Sequence, residues 1–154
     1  MEKVFVYGSL KRGGFNYYNY QLGSSTSKFL GVGSTKEKNY TLLAIRRTYP
    51  ALVEGGNQKI KGEIWNLDNS TYSCVKRMEL MSGYKLDEIE TSKGLCKVFL
   101  AKEYLQIRGE ILKLDYWPIQ YRDKWLNSLP IGFKSEYVAE MYHYPASETR
   151  KFLK

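Results

Sequence analysis

An apolar run followed by a turn of small residues is the first clear pattern in the chain. Val4-Phe5-Val6-Tyr7 is rich in β-branched and aromatic side chains, which predicts a buried strand. Gly8 follows directly, and glycine lets the backbone turn and approach a ligand without a Cβ in the way. The N–H groups of Gly8, Ser9 and Leu10, with the hydroxyls of Tyr7 and Ser9, suit a carboxylate or a polarised carbonyl oxygen. A strand that ends in Gly-Ser is also an ordinary turn, so this pattern alone does not establish a site.

Further β-prone runs predict a sheet-rich fold. They cover residues 28–33, 39–44, 49–54, 59–65, 85–90 and 96–101. Glycines interrupt the first of these runs, and glycine inside a strand is typical of a bend or bulge, which favours a small mixed β-barrel over a flat sheet. Gly55-Gly56-Asn57 predicts a hairpin between 49–54 and 59–65, and Ser92-Lys93-Gly94 predicts another between 85–90 and 96–101.

A helix after residue 68 places one carboxylate on an apolar face. Asp68 is a candidate N-cap, and Tyr72, Val75 and Met78 follow at spacings of three. Glu79 comes four residues after Val75 and seven after Tyr72, so the helical period turns its carboxylate inward. The alternative interpretation is a glutamate at the fraying end of a helix that reaches solvent or a buried donor.

The rest of the chain completes an α+β domain with flanking helices. One more strand is predicted between Leu105 and Leu114, and residues 117–126 and 135–141 have helical spacing, whereas the pattern at 15–22 favours no element. A length of 154 residues is that of about one domain. We therefore expect a single domain over 1–154, with a C-terminal extension of about 117–154.

Composition narrows the possible chemistry and location. Cys74 and Cys96 are too few for a disulfide framework and are interpreted as reduced core thiols. The single histidine, His143, leaves a zinc site short of ligands and a serine or cysteine nucleophile short of a base. No apolar run approaches the roughly 18 residues of a membrane span, and residues 1–3 lead straight into the first strand. These observations predict a soluble, cytosolic protein.

The chain is basic, with 24 Lys and Arg residues against 16 Asp and Glu and a net charge of +8. Such a charge attracts anions of every kind. The basic residues are scattered in short clusters, and no known nucleic-acid-binding signature accompanies them. We expect the charge to serve solubility or the attraction of a substrate, and not specific nucleic-acid recognition.

The motifs and their order resemble the γ-glutamylcyclotransferase-like superfamily. Residues 4–13 with Asn16 match its opening signature, a Tyr-Gly-Ser/Thr-Leu loop after the first strand and an Asn shortly beyond. Residues 50–53 and 62–65 match its two middle strands. The resemblance covers roughly residues 3 to 101 and agrees in order and spacing.

The predicted helix carries the rest of the resemblance. Residues 75–79 fall where members have Leu-Asp-x-Leu-Glu, and Tyr84 falls where a Tyr follows. The chain departs from the pattern at Lys76, which replaces Asp, and at Leu80, which replaces the usual Gly. A rival alignment puts Ser82 at the catalytic position and implies an inert protein. We prefer Glu79, because its spacing from the preceding strand needs no gap.

The resemblance implies a lyase or acyltransferase that releases 5-oxoproline from a γ-glutamyl amine or a small γ-glutamyl peptide, with no metal and no cofactor. The substrate's own α-amine attacks its γ-carbonyl, and Glu79 is implied as the general acid and base. The implied substrate-binding residues are Tyr7, Gly8, Ser9, Leu10, Asn16 and Tyr84.

Two other functions remain open at this stage. One is a catalytically inactive binding module of the same fold for an anionic partner, and the other is a related reaction on another γ-glutamyl conjugate. Residues 11–16 resemble the subgroup that acts on γ-glutamylamines, whereas 117–138 resemble subgroups that act on glutathione or peptides. The substrate and the oligomeric state are therefore not assigned.

Overall fold

The computed structural model describes residues 1–46, 49–118, 150 and 152–154. Strands predominate within these residues. The elements in chain order are β1 (Glu2–Val6), α1 (Phe15–Asn19), β2 (Lys28–Ser34), β3 (Tyr40–Ile45), β4 (Tyr49–Glu54), β5 (Lys61–Leu67), α2 (Asn69–Met81), β6 (Tyr84–Thr91), β7 (Gly94–Ala101), α3 (Glu103–Gln106) and β8 (Gly109–Ile111).

Strand β1 lies at the centre of a five-stranded mixed sheet with the order β2-β5-β1-β7-β6. It runs antiparallel to β5 and parallel to β7. Val4 and Val6 pack into one apolar cluster, whereas Phe5 and Tyr7 pack into the other. A strand buried on both faces is continuously apolar, as β1 is from Val4 to Val6. The turn that follows β1 therefore begins in the interior of the protein.

The predicted α+β class, with a mixed β-rich core and a few helices, is confirmed, but the word barrel applies only loosely. In the five-stranded sheet, a bulge in β2 lies between Phe29 and Gly31, where Gly31 has a φ of 124°. Its two edges meet at a single bridge between Thr35 and Thr91. Among the described strands, β2 and β6 share no ladder beyond this bridge, and β3, β4 and β8 form a separate sheet.

The predicted hairpin between 49–54 and 59–65 is wrong. β4 pairs with β3, while β5 pairs with β1 and β2. After β4 the chain does not fold back on itself: Gly55 N–H donates to the Asn39 carbonyl, and Gln58 pairs with Tyr40. β5 is almost fully buried, so it needs a neighbour on each side, and β1 and β2 provide them. By contrast, the hairpin of β6 and β7 is confirmed.

Helix α2 begins where its sequence predicts. The Asp68 carboxylate accepts a hydrogen bond from Thr71 N at 2.7 Å and caps the helix. The same hydrogen bond is the main reason that the pKa of Asp68 falls to about 2. Val75 is fully buried against the core, and Gly83 ends the segment with a φ of 97°. This arrangement places Glu79 in the last turn.

Other predictions about the second half of the chain are only partly right. The strand predicted between Leu105 and Leu114 is shorter, because α3 comes first and β8 covers only Gly109–Ile111. Cys96 is buried, but Cys74 is exposed on α2, so it is not a core thiol. The helix predicted at 135–141 lies outside the described residues, and so does the helix predicted at 117–126 from residue 119 onwards. In the part of the chain that is described, no helix is long and apolar enough to span a membrane.

Candidate active site

The turn after β1 is folded tightly onto its neighbours. The Gly8 carbonyl accepts from Lys11 N at 3.0 Å, and the Ser9 carbonyl accepts from Tyr17 N at 2.9 Å. Asn16 Nδ2 donates to Ser9 Oγ at 2.7 Å, and both side chains are buried. A Cβ on Gly8 would lie 2.7 Å from Pro50 Cγ, so only glycine fits this close approach.

The backbone N–H groups of this turn are available to a ligand. Gly8, Ser9 and Leu10 lie outside the strands and helices. In the described part of the chain, their N–H groups donate to no backbone carbonyl, and all three residues line one cavity. Successive amides at the rim of a cavity form a concave site for an anion or a polarised carbonyl oxygen. That these three N–H groups bind an oxygen of a ligand stays a prediction.

A buried carboxylate on β5 holds the far side of this turn in place. Glu63 Oε1 accepts from Arg12 N at 2.8 Å and from Trp65 Nε1 at 3.1 Å, while Oε2 contacts Arg12 Nε at 3.1 Å. The Arg12 guanidinium in turn lies over the ring of Phe29, 3.8 Å from its centroid. Glu63 therefore fixes the backbone two residues after Leu10.

The cavity beside the turn has a volume of about 50 Å³. The residues selected from the sequence that line it are Tyr7, Gly8, Ser9, Leu10, Asn16, Glu79 and Tyr84. Tyr49, Pro50, Met78 and Phe99 also line it. The structure thus brings together residues that lie far apart in the chain.

Two tyrosines that line the cavity are anchored to backbone carbonyls. Tyr7 Oη donates to the Phe99 carbonyl at 2.6 Å, and Tyr84 Oη donates to the Pro50 carbonyl at 2.5 Å. Burial raises the pKa of Tyr7 well above its usual range, and the charge of Glu79 raises it further. The phenol of Tyr7 therefore stays neutral, and the carboxylate of Glu79 is close enough to influence it.

Glu79 brings a carboxylate to the same cavity from the last turn of α2. Its side chain is half-buried. Ser82, the residue favoured by the rival alignment, also lines the cavity, but it is exposed and its hydroxyl donates to the Met78 carbonyl at 2.7 Å. Among the described lining residues, Glu79 is the one carboxylic acid. The site thus combines backbone donors with one carboxylic acid that can accept and donate a proton.

The structure shows further residues that the sequence did not single out. The sequence pattern places Glu63 only within a matching strand, and it places Tyr49 and Phe99 only within predicted strands. A glutamate inside an otherwise apolar run is a signal that could have identified Glu63, because a buried carboxylate needs partners. No group of three or more His, Cys, Asp or Glu side chains that could hold a metal ion occurs within the described residues.

Comparison with known proteins adds independent information. The family model described as "Gamma-glutamyl cyclotransferase, AIG2-like" matches residues 4–125. A Methanocaldococcus jannaschii protein with a provisional gamma-glutamylcyclotransferase name is 40% identical over 87 residues, which are 54% of this chain and 63% of that protein. Gamma-glutamylaminecyclotransferase A of Danio rerio is 33% identical over 81 residues, 49% of each chain. The chain therefore spans about half to two thirds of the length of these relatives.

A solved structure shows the same fold. The crystal structure of an AIG2-like protein from Mus musculus superimposes with a TM-score of 0.62 at 20% identity, and the match covers 77% of this chain and 88% of the mouse chain. The family model covers well over half of the chain, and it includes the turn, the middle strands and α2. The resemblance in the sequence is thereby confirmed, and the chain belongs to the gamma-glutamyl cyclotransferase, AIG2-like family.

Proposed function

We propose that this protein releases 5-oxoproline from a γ-glutamyl amine or a small γ-glutamyl peptide, with Glu79 as general acid and base. The observation that supports this most directly is the single cavity shared by the Gly8–Leu10 amides and the Glu79 carboxylate. The family's name and the names of the relatives support a cyclotransferase. The proposal adds the reaction product and the roles of individual residues.

The reaction depends mainly on the conformation in which the substrate is bound. The α-nitrogen of the γ-glutamyl group attacks its own γ-carbonyl carbon, and the bond from that carbon to the leaving nitrogen breaks. Because nucleophile and electrophile belong to one molecule, a site that holds the chain curled supplies much of the rate enhancement. The small cavity, with Tyr7 and Tyr84 fixed by their hydrogen bonds, favours such a compact conformation.

Proton balance gives Glu79 its role. The α-nitrogen starts as an ammonium group with three protons and ends as a lactam N–H, while the leaving nitrogen starts as an amide N–H and ends as an ammonium group. Two protons therefore pass from one nitrogen to the other. A single carboxylate between the two nitrogens can carry them in succession, as base and then as acid. The position of Glu79 on the lining of the cavity supports this role.

The backbone amides of the turn complete the mechanism. As the α-nitrogen attacks, negative charge develops on the γ-carbonyl oxygen, and fixed N–H donors stabilise that charge most when they need no reorganisation. Gly8, Ser9 and Leu10 supply such donors, or bind the substrate's α-carboxylate, from a turn held by Asn16 and Glu63. Hydrogen bonds at both ends of the turn keep it rigid.

The second candidate function is a binding module that retains the cavity without turnover. The presence of Ser82 at the same cavity favours it, because the rival alignment places an inert residue there. The two functions differ in one observable product. Turnover releases 5-oxoproline, whereas binding alone does not.

The direct test is to incubate the protein with a panel of γ-glutamyl amines, γ-glutamyl amino acids and short γ-glutamyl peptides and to quantify 5-oxoproline. The matched control is each substrate with its α-amine acetylated, since an acylated nitrogen cannot close the ring. We expect release from at least one free-amine substrate and none from its acetylated partner. Binding of these compounds without any release would favour the binding module instead.

A further inference from the structure

A second pocket lies next to the candidate active site. It has a volume of about 380 Å³, much larger than the 50 Å³ cavity. Its described lining consists of Arg46, Tyr49, Tyr104, Leu105, Ile107 and Arg108. Tyr49 lines both the pocket and the cavity, so the two spaces are separated by no more than one side chain.

Helix α3 connects the pocket to the rim of the cavity. Lys102 N donates to the Gly83 carbonyl at 3.0 Å, and a Cβ on Gly83 would lie 2.7 Å from the Tyr104 hydroxyl. Gly83 stands between Ser82 and Tyr84, which both line the cavity. The Tyr104 side chain of the pocket is therefore in contact with the segment that closes the cavity.

In the proposed function the γ-glutamyl group occupies the cavity, so the leaving amine lies at the edge of the cavity. The rest of the leaving group then extends to a neighbouring surface. The pocket that shares Tyr49 is adjacent to the cavity.

The pocket has the charge expected of a site for an anion. Arg46 N donates to the Arg108 carbonyl at 3.0 Å, so the backbones of the two arginines are joined where β3 and β8 pair. Both arginines line the pocket, and its described lining contains no carboxylate. Arginine binds carboxylates through paired, charge-assisted hydrogen bonds.

We propose that this pocket is the subsite for the leaving group, and that Arg46 and Arg108 bind a carboxylate carried by the leaving amine. The inference rests on the proposed function, to which it adds the chemistry of the second substrate half. Tyr49 and Tyr104 then provide the apolar walls for the intervening carbon atoms. The preferred substrates are γ-glutamyl derivatives of amino acids or peptides, and simple γ-glutamyl alkylamines are poor substrates.

The test uses two compounds that differ only by the carboxylate. γ-L-glutamyl-L-alanine and γ-L-glutamylethylamide have the same leaving-group skeleton, and the second lacks the acid group. We would measure kcat/KM for 5-oxoproline release, and the dissociation constant by calorimetry, for the wild type, Arg46→Gln, Arg108→Gln and the double variant. Lys28→Gln is the matched control, because it removes one positive charge from an exposed residue outside both pockets.

We expect the wild type and Lys28→Gln to favour γ-glutamylalanine by about tenfold or more, the usual effect of one charge-assisted hydrogen bond. The double variant should lose this preference and change its kcat/KM for the ethylamide less than about threefold. Equal turnover of both compounds by the wild type, or an unchanged preference in the double variant, overturns the subsite and leaves the cyclotransferase function standing. If neither compound releases 5-oxoproline while arginine-dependent binding of γ-glutamylalanine persists, the reaction is wrong and the carboxylate subsite stands. Absence of both release and binding overturns both.

Discussion

Replacement of Glu63 offers a sharp test of how the turn after β1 is held. Glu63→Ala removes the carboxylate that accepts hydrogen bonds from three donors, namely Trp65 Nε1, Arg12 N and Arg12 Nε. Glu63→Gln keeps an oxygen that can still accept the first two hydrogen bonds, both of which reach Oε1. Arg12→Gln removes the guanidinium's contacts with Glu63 and Phe29 but keeps the hydrogen bond from Arg12 N. The three variants therefore separate the hydrogen bonds to the turn from the ion pair.

The structure gives the expected order of effects. The side chain of Arg12 is 50% exposed, so its ion pair with Glu63 contributes about 1 kcal/mol or less. In Glu63→Ala, Trp65 Nε1 and Arg12 N lose a buried charged acceptor, and we expect the free energy of unfolding to fall by about 3 kcal/mol. For a domain of this size that corresponds to a fall in Tm of about 6–12 °C. Glu63→Gln and Arg12→Gln should each lower the Tm by only about 2–4 °C.

Differential scanning calorimetry at pH 7 measures these values, and circular dichroism confirms that each variant folds. Because Arg12 N is two residues from Leu10, Glu63→Ala should also reduce kcat/KM by more than Glu63→Gln does. If Glu63→Ala and Glu63→Gln destabilise the protein equally, the ion pair and not the hydrogen bonds to the turn is the main contribution. A negligible effect of both variants would refute the anchoring role altogether.

Three further predictions follow from single contacts. Tyr7→Phe should lower the free energy of unfolding in urea by about 1–3 kcal/mol, because the buried Phe99 carbonyl loses its donor; an unchanged midpoint would contradict this. Asp68→Ala should lower the Tm at pH 7. The difference in Tm from wild type should shrink as the pH falls from 3.8 towards 2, because Asp68 stabilises the fold only while its carboxylate is ionised; a constant difference would argue against this. In a thiol titration with a disulfide reagent, Cys74 should react at once and Cys96 only on unfolding, because burial shields Cys96 and raises its pKa; two fast thiols would contradict the structure.

Local patterns in the sequence predicted the parts of the site that depend on local structure. The apolar run before Gly8 predicted β1 and its turn, and the helical spacing after Asp68 predicted α2 with Glu79 on the side that lines the cavity. Both depend on the periodicity of one element, which the sequence displays directly. The cytosolic location and the lack of a specific nucleic-acid partner stay predictions.

The periodicity of one element does not show which strands pair with each other. Gly55 and Gly56 indicate a change of direction after β4, but they do not specify whether the next strand pairs with β4 or crosses to another sheet. That choice depends on burial across strands distant in the chain, namely the need of β5 for two neighbours. The contacts of Glu63 depend on the same packing, since Arg12 lies 51 residues away in sequence. The pocket lined by Arg46 and Arg108 likewise forms only when β3 and β8 pair.

The measurement that tests the central claim most directly is single-turnover 5-oxoproline release by Glu79→Gln on a substrate that the wild type turns over. Glutamine keeps the size and polarity of the side chain but cannot exchange the proton, so the chemical step should slow by on the order of a hundredfold or more, while substrate still binds. Ser82→Ala, at the same cavity, should keep a rate within a few-fold of wild type. Turnover that survives in Glu79→Gln, or that is lost in Ser82→Ala instead, would contradict the assignment of Glu79 as the proton carrier.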